Sequence, residues 1–581
     1  MAPTRFHDEA PDVNDSKNFI IAIALSAIVL FGWTWAAERY FPTAKAPAAT
    51  VEQGQAQPAP VAGGQAPAAA PSTLKDRSAV LGASPRIAIV TPSLKGSINL
   101  KGAQFDDLVL LSQRTAIAKD SEPVRLLSPL GARSAYIAQF GWAGPGAPGL
   151  DTVWTADGTL LAPGRPVTLT TQGANGLRYQ LKIAVDDGYL FTIDQIVTNA
   201  SAQPVTIRPT GLVSRSEKST DLSTWTNHVG PIGVFDGKAD YDVSWKTLDE
   251  AGAGGNAAAN VSGWLGFTDK YWLTALAPVG NPRLATDFRR SPSGGYQADY
   301  ALAPSILAPG QSLDSKTRLF AGAKEKKWLD RYEDEGISKI SKAIDWGWFE
   351  WFMRPIFGLL LVLFRLTGNF GFAIIGLTLI VRMIMFPIAQ RQFKSMAAMR
   401  KVQPKMKAIQ ERFKDDKPRQ QQEILKLYQQ EKINPAGGCL PIVIQIPVFY
   451  ALYKVLMVSV EMRHQPFILW IKDLSAPDPL TPVNLFGLLH FTPPHFLAIG
   501  VLPIMVGATQ WLTMKLNPQP MDPAQQQIFS IMPWLLVFIM APFAAGLQLY
   551  WMTNNILTLL QQWWLYRRFG LHFSDTHPVE T

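Results

Sequence analysis

The most demanding residue in this sequence is Arg382. It stands inside an apolar run, Thr378-Leu379-Ile380-Val381-Arg382-Met383-Ile384-Met385-Phe386. A guanidinium stays charged, and placing one in hydrocarbon costs about 2.5–3.5 kcal/mol on insertion scales. Two environments relieve that cost. The side chain can snorkel to headgroups, because Ile388 is only six residues away, roughly 9 Å along a helix. Alternatively it faces a hydrated recess within a helix bundle. Thr378 stands four residues earlier on the same helical face. Other apolar runs carry uncharged polar groups. Gln445 lies beside Pro447, and Gln510 and Thr513 share a run. The last run has Gln548, Trp551 and Asn555 on one stripe, with Tyr550, Asn554 and Thr558 on the next. Singly, such groups make interhelical hydrogen bonds of about 0.6 kcal/mol. Together with a lone arginine they predict a wet groove whose chemistry is solvation, not bond making. No Asp or Glu lies within the five apolar runs beyond residue 369, so a proton or cation relay is disfavoured.

Other chemistry has little to work with. The chain has seven His and one Cys, and no G-x-x-x-x-G-K-[ST], C-x-x-C or H-E-x-x-H. The expectation is no catalytic residue, no metal and no cofactor. The single cysteine, Cys439, excludes an intrachain disulfide and reads as a small residue at a helix approach. Glu217, Asp221 and His228 could form a polar site, but a solvated loop explains them more simply.

The elements that must position these residues follow from composition. The 581 residues are 47% apolar and only 17% charged, where soluble proteins carry about 25% charged residues. Residues 19–37 form an apolar run long enough to span a bilayer, read as an uncleaved anchor after a tail at 1–18. Residues 38–83 are rich in Ala and Pro and read as a flexible linker. From 84 to 325 the pattern alternates with period two. Leu177–Val185 and residues 189–198 are strand-like, joined by Asp186-Asp187-Gly188. Further strands are expected at 205–212, 263–277 and 315–321, and the region reads as an antiparallel β-sandwich. In 326–366, Ile337, Ile340, Ile344, Trp348 and Trp351 recur at helical spacing, which predicts an amphipathic interfacial helix ending at Thr367-Gly368-Asn369. A core at 367–569 follows, with spans near 370–388, 440–460, 495–514, 528–543 and 547–566, and then a tail at 570–581. With the anchor this makes six transmembrane α-helices.

Charge orients them. Residues 389–437 hold 12 Lys and Arg against 5 Asp and Glu, a net of +7, whereas 463–493 is balanced. The positive-inside rule places 389–437 in the cytoplasm, both termini with it, and the β-domain across the membrane. The basic loop repeats Met399, Val402, Met406, Ile409 and Phe413 at heptad spacing and breaks at Asp415-Asp416-Lys417-Pro418. It reads as a helical hairpin with a deformable Met face. The net charge of +9 is explained by this topology without nucleic-acid specificity.

Three stretches carry a resemblance. They are I-V-R-x-I-M-F-P around Arg382 with Q-x-x-x-M-x-x-M-R-x-x-Q-P-K (392–405), N-P-x-G-G-C-x-P-x-x-I-Q-x-P-x-F-x-A-L-Y (434–453), and Gly546-Leu547-x-Leu549-Tyr550-Trp551 through Asn555 and Gln561-Gln562. They closely resemble the YidC insertases, and the anchor, linker and β-domain resemble the Gram-negative form. The resemblance implies a five-helix core around a hydrophilic groove in the inner membrane, open to cytoplasm and lipid, with Arg382 as its arginine. It implies that Thr378, Tyr550 and Trp551 match client-contacting positions, although Trp551 replaces a tyrosine of some members. It implies that the hairpin, with Met399, Arg400, Lys401, Lys405 and Met406, is the cytoplasmic element needed for activity. Implied partners are nascent membrane proteins, the Sec translocon, the ribosome and signal recognition pathway, and membrane lipids. The competing reading is a secondary transporter with an exported accessory domain, although no paired repeat is visible. A membrane-anchored β-domain enzyme is a second alternative.

Overall fold

The computed structural model describes residues 74–568, apart from 119, 174–175, 222–226, 292–293, 415, 432–439, 490, 492–493, 495–497 and 517–522. The tail at 1–18, the anchor, most of the linker, Cys439 and the tail at 570–581 lie outside the described residues, as do the side chains of Met399, Arg400 and Lys401.

Residues 86–323 build two sheets, of eleven and nine strands. All pairings between named strands are antiparallel except Arg86–Val90 with Leu160–Leu161. Alternation explains the burial. Leu177, Tyr179, Leu181, Ile183 and Val185 point inward from one strand, with Arg178, Gln180, Lys182 and Ala184 between them on the outer face. That strand pairs with Leu190–Asn199, which pairs in turn with Ser312–Ala323. Gln195 crosses between the sheets, its Nε2 donating to Gly141 O and Thr210 O of the facing sheet at 2.7 and 3.1 Å. The run expected as one strand over 263–277 is a hairpin, Gly263–Thr268 and Trp272–Pro278, because Asp269-Lys270-Tyr271 turns the chain.

Ten helices accompany the sheets among the described residues. Two are short, α1 (Arg77–Leu81) and α2 (Trp245–Ala251). The others are α3 (Lys326–Asp334), α4 (Glu350–Thr367), α5 (Phe370–Arg412), α6 (Lys417–Gln430), α7 (Leu440–Val458), α8 (Val501–Leu516), α9 (Pro523–Met540) and α10 (Ala545–Arg568).

The continuous helix expected over 326–366 is divided into α3 and α4. Between α3 and α4 the backbone takes positive φ at Gly336, Lys339 and Gly347, with 3-10 turns at Ile340–Ala343 and Gly347–Phe349. Ile337, Ile340 and Ile344 are buried. The segment is fastened to the β-domain by Trp264 Nε1 donating to Ser338 O (3.0 Å) and Tyr241 Oη to Lys342 O (2.7 Å). The three- and four-residue spacing of Ile337, Ile340 and Ile344 is met by packed turns that face protein, whereas Trp351 stands exposed on α4.

Gly368 ends α4 in the left-handed region, and Asn369 Oδ1 caps α5 by accepting from Gly371 N and Phe372 N. Helix α5 then runs without interruption from the apolar segment into the basic loop. Asp416 caps α6, and Val402, Met406 and Leu427 pack between the two arms. The run expected from 495 becomes helical only at Val501, where Val501 N donates to Leu480 O and Leu502 N to Asp478 Oδ2. Phe370–Gln390, 21 residues, is the one helical segment among the described residues long and apolar enough to cross a membrane. Gln445–Val458 and Phe529–Met540 are shorter apolar helices. Polar side chains in α8 and α10 dilute their apolar character, and those side chains converge on one place.

Candidate functional site

Helices α5, α7, α8 and α10 enclose a recess of about 400 Å³. Its arginine comes from α5. Arg382 Nε donates to Asn554 Oδ1 at 2.8 Å, and Nη2 donates to Thr558 Oγ1 at 2.6 Å and Asn554 O at 3.3 Å. All three acceptors lie on α10, one turn apart. No carboxylate pairs with Arg382 among the described residues. Neutral acceptors orient the guanidinium without cancelling its charge.

The remaining walls are polar and aromatic. Gln445 of α7 donates to Tyr550 Oη, Trp551 Nε1 donates to Gln510 Oε1 at 3.3 Å, and Asn555 Nδ2 donates to Thr509 Oγ1 at 3.2 Å. Phe449 meets Trp551 edge to face at 4.9 Å. On the side nearer the β-domain the core is dry, with Ile374, Leu377, Ala451, Leu452, Leu502, Val506 and Leu547 all buried. Outside, large apolar side chains are exposed, including Met383, Ile384, Ile446, Trp534 and Phe538. Such a girdle is disfavoured in water and suits lipid.

Residues 362–571 match the family model described as 60Kd inner membrane protein, and residues 86–359 match the YidC periplasmic domain. The chain is 46% identical over 562 residues to the membrane protein insertase YidC of Zymomonas mobilis subsp. mobilis, covering 96% of each. It is 44% identical over 592 residues to that of Methylorubrum extorquens, again covering 96% of each. The chain belongs to the YidC family. A crystal structure of an active YidC insertase with its first transmembrane domain resolved is 19% identical, with a TM-score of 0.35, covering 82% of this chain and 92% of that one. Family membership favours the insertase over the transporter, as an inner-membrane protein with a periplasmic β-domain.

Within this YidC-family chain, Arg382, Gln445, Gln510, Thr513, Tyr550, Trp551 and Asn555 line the recess. Thr378 and Gln548 do not. Thr378 is buried and donates to Ile374 O at 2.7 Å, its own helix's preceding turn. Gln548 is fully buried and donates to Met540 O and Phe543 O at 2.9 and 2.8 Å, tying down the end of α9. Shared helical faces, Thr378 with Arg382 and Gln548 with Trp551 and Asn555, predict both in the groove, but nearby carbonyls take their hydrogen bonds. Asn554 and Thr558, the other members of the Tyr550 stripe, line the recess as well, and so do Phe449 and Gln562, which no polar stripe pointed to. The spacing of Tyr550, Asn554 and Thr558 on one stripe of an apolar helix was the available signal.

In the hairpin, Lys405 pairs with Glu431 at 2.6 Å and Met406 is buried against α6. Met406 thus packs within the hairpin itself. The three polar residues of the β-domain do not converge. Glu217 accepts from Ser134 Oγ, Asp221 accepts from Lys270 N, and His228 Nε2 lies 2.7 Å from Pro231 O. Burial holds the His228 imidazole below its ordinary pKa. No group of three or more candidate metal ligands occurs among the described residues.

Proposed function

We propose that the Arg382 recess is the groove through which this insertase lets polar tails of nascent membrane proteins begin to cross the inner membrane. One observation carries it: a charged side chain held by neutral partners beside about 400 Å³ of space within an apolar-jacketed bundle. A polar tail crossing ~30 Å of hydrocarbon must lose its water, at several kcal/mol for each unsatisfied backbone group. A wet recess shortens that path. Arg382 holds water within it and attracts acidic side chains. The client's apolar segment then leaves sideways past Met383, Ile384 and Ile446 into lipid, driven by hydrophobic transfer.

The accompanying topology is six spans, with both termini and the hairpin in the cytoplasm. The net charge of +7 over 389–437 supports it. The basic hairpin is the surface proposed to meet the ribosome and signal recognition pathway, and the Sec translocon is proposed as a lateral partner in the bilayer. Both partnerships rest on the motif resemblance.

Site-specific photocrosslinking tests the groove. A photoreactive residue at Trp551 is expected to capture an arrested nascent membrane protein, and one at Thr378 is not, because Thr378 is sealed. Capture at Thr378 without Trp551 would move the groove elsewhere.

A further inference from the structure

A second recess, of about 320 Å³, lies on the other side of the dry layer. It is built by the same two helices, α7 and α10. On α7 the first recess uses Gln445, Ile446 and Phe449, and the second uses Tyr453, Leu456 and Met457. On α10 the first reaches Tyr550 and Trp551, and the second begins at Leu547. Each step is about one helical turn, roughly 6 Å. An aromatic pair stands on each side: Phe449 against Trp551 at 4.9 Å, and Tyr453 against Phe543 at 5.7 Å. Between them sit Leu452 and Gln548, both fully buried. Gln548 Oε1 has no hydrogen-bond partner among the described residues.

We infer that the second recess is the receiving site for the polar tail of the client on the β-domain side, so that the dry septum along this seam is one helical turn thick and not a full hydrocarbon core. The inference rests on the groove reading and extends it to the far side. Continuity along the two helices identifies the occupant as the same extended chain. Charge agrees with it, because the cation at the rim is Lys270, contributed by the β-domain. The volume admits about ten waters at ~30 Å³ each, or a short stretch of extended chain. Gln548 Oε1 offers that chain one acceptor midway.

The test places p-benzoylphenylalanine at Trp551 or at Met457 in the full-length protein in inner-membrane vesicles, with an acidic-tailed client stalled at successive lengths. Tail crosslinks are expected at Trp551 for short stalls and at Met457 for longer ones. Ser475→Trp, which fills the second recess, should abolish the Met457 crosslink and leave the one at Trp551. Lys270→Glu should weaken capture of an acidic tail at Met457 and strengthen capture of a basic one. Crosslinks at Trp551 with none at Met457 at any length overturn the receiving site and leave the groove standing. Absence at both positions overturns both.

Discussion

At the residue scale, two charges, one half-buried and one fully buried, behave differently because of what surrounds them. Arg382 meets only amide and hydroxyl oxygens, so its charge stays available to the recess. If attraction of acidic tails matters, Arg382→Lys should retain most insertion of an acidic-tailed client in reconstituted liposomes. Arg382→Ala should lose roughly tenfold, about 1.4 kcal/mol. Equal rates for all three proteins would mean that the charge is dispensable. Asp299 lies in the β-domain directly opposite Asp287 on the neighbouring strand, and both pair with Arg289, at 2.8 and 2.9 Å. Burial, against the pull of Arg289, pushes the Asp299 carboxyl up to about 7. A folded pKa raised above the unfolded value of about 3.9 gives a contribution that is complete below that value and is lost as pH rises to about 7. The melting temperature of the β-sheet signal of the detergent-solubilised chain should therefore fall between about pH 4 and 7, with Asp299→Asn flattening the slope. An unchanged slope in that variant would assign the dependence to another group.

At the element scale, turns and caps built from neighbouring residues are legible in the sequence. The turn at Asp186-Asp187-Gly188 is present, with Asp186 Oδ1 accepting from Gly188 N and Leu190 N. Its reason for glycine is tertiary. A Cβ on Gly188 would lie 2.2 Å from Tyr332 Oη and 2.7 Å from Trp328 of α3. Gly188→Ala should thus cost about 1–3 kcal/mol through overpacking and lower the melting temperature of the β-domain. A neutral result would show that α3 moves aside. The Thr367-Gly368-Asn369 break was equally legible, since a left-handed glycine followed by an Asn cap is a local device. The helix expected through Ile337, Ile340 and Ile344 was not, because the same spacing serves turns pinned by Trp264 and Tyr241 from distant strands.

At the scale of the whole molecule, the β-domain and the helices are joined by polar contacts. Glu461 accepts from Lys326 N at 2.7 Å and from Ser459 Oγ at 2.9 Å. Arg463 donates to Arg114 O at 2.6 Å. Lys454 of α7, almost fully buried, pairs with Asp345 at 3.5 Å. Stranding one member of such a pair costs about 3–5 kcal/mol, whereas removing both charges is far milder. Lys454→Met alone should lower the melting temperature sharply, and adding Asp345→Asn should recover part of the loss. Additive losses would mean that the pair is not coupled.

The sequence by itself determined the family, the β-rich domain ahead of a helical core, and an arginine that demands a polar setting. Those follow from periodicity, charge placement and motif, which are local or compositional. Only the tertiary structure decided which polar residues share the recess. Thr378 and Gln548 bond to carbonyls of their own neighbourhood, while Asn554 and Thr558 turn to Arg382 from more than 170 positions away. Hydrogen-bond partners are set by distance in space, and a helical stripe fixes only a direction.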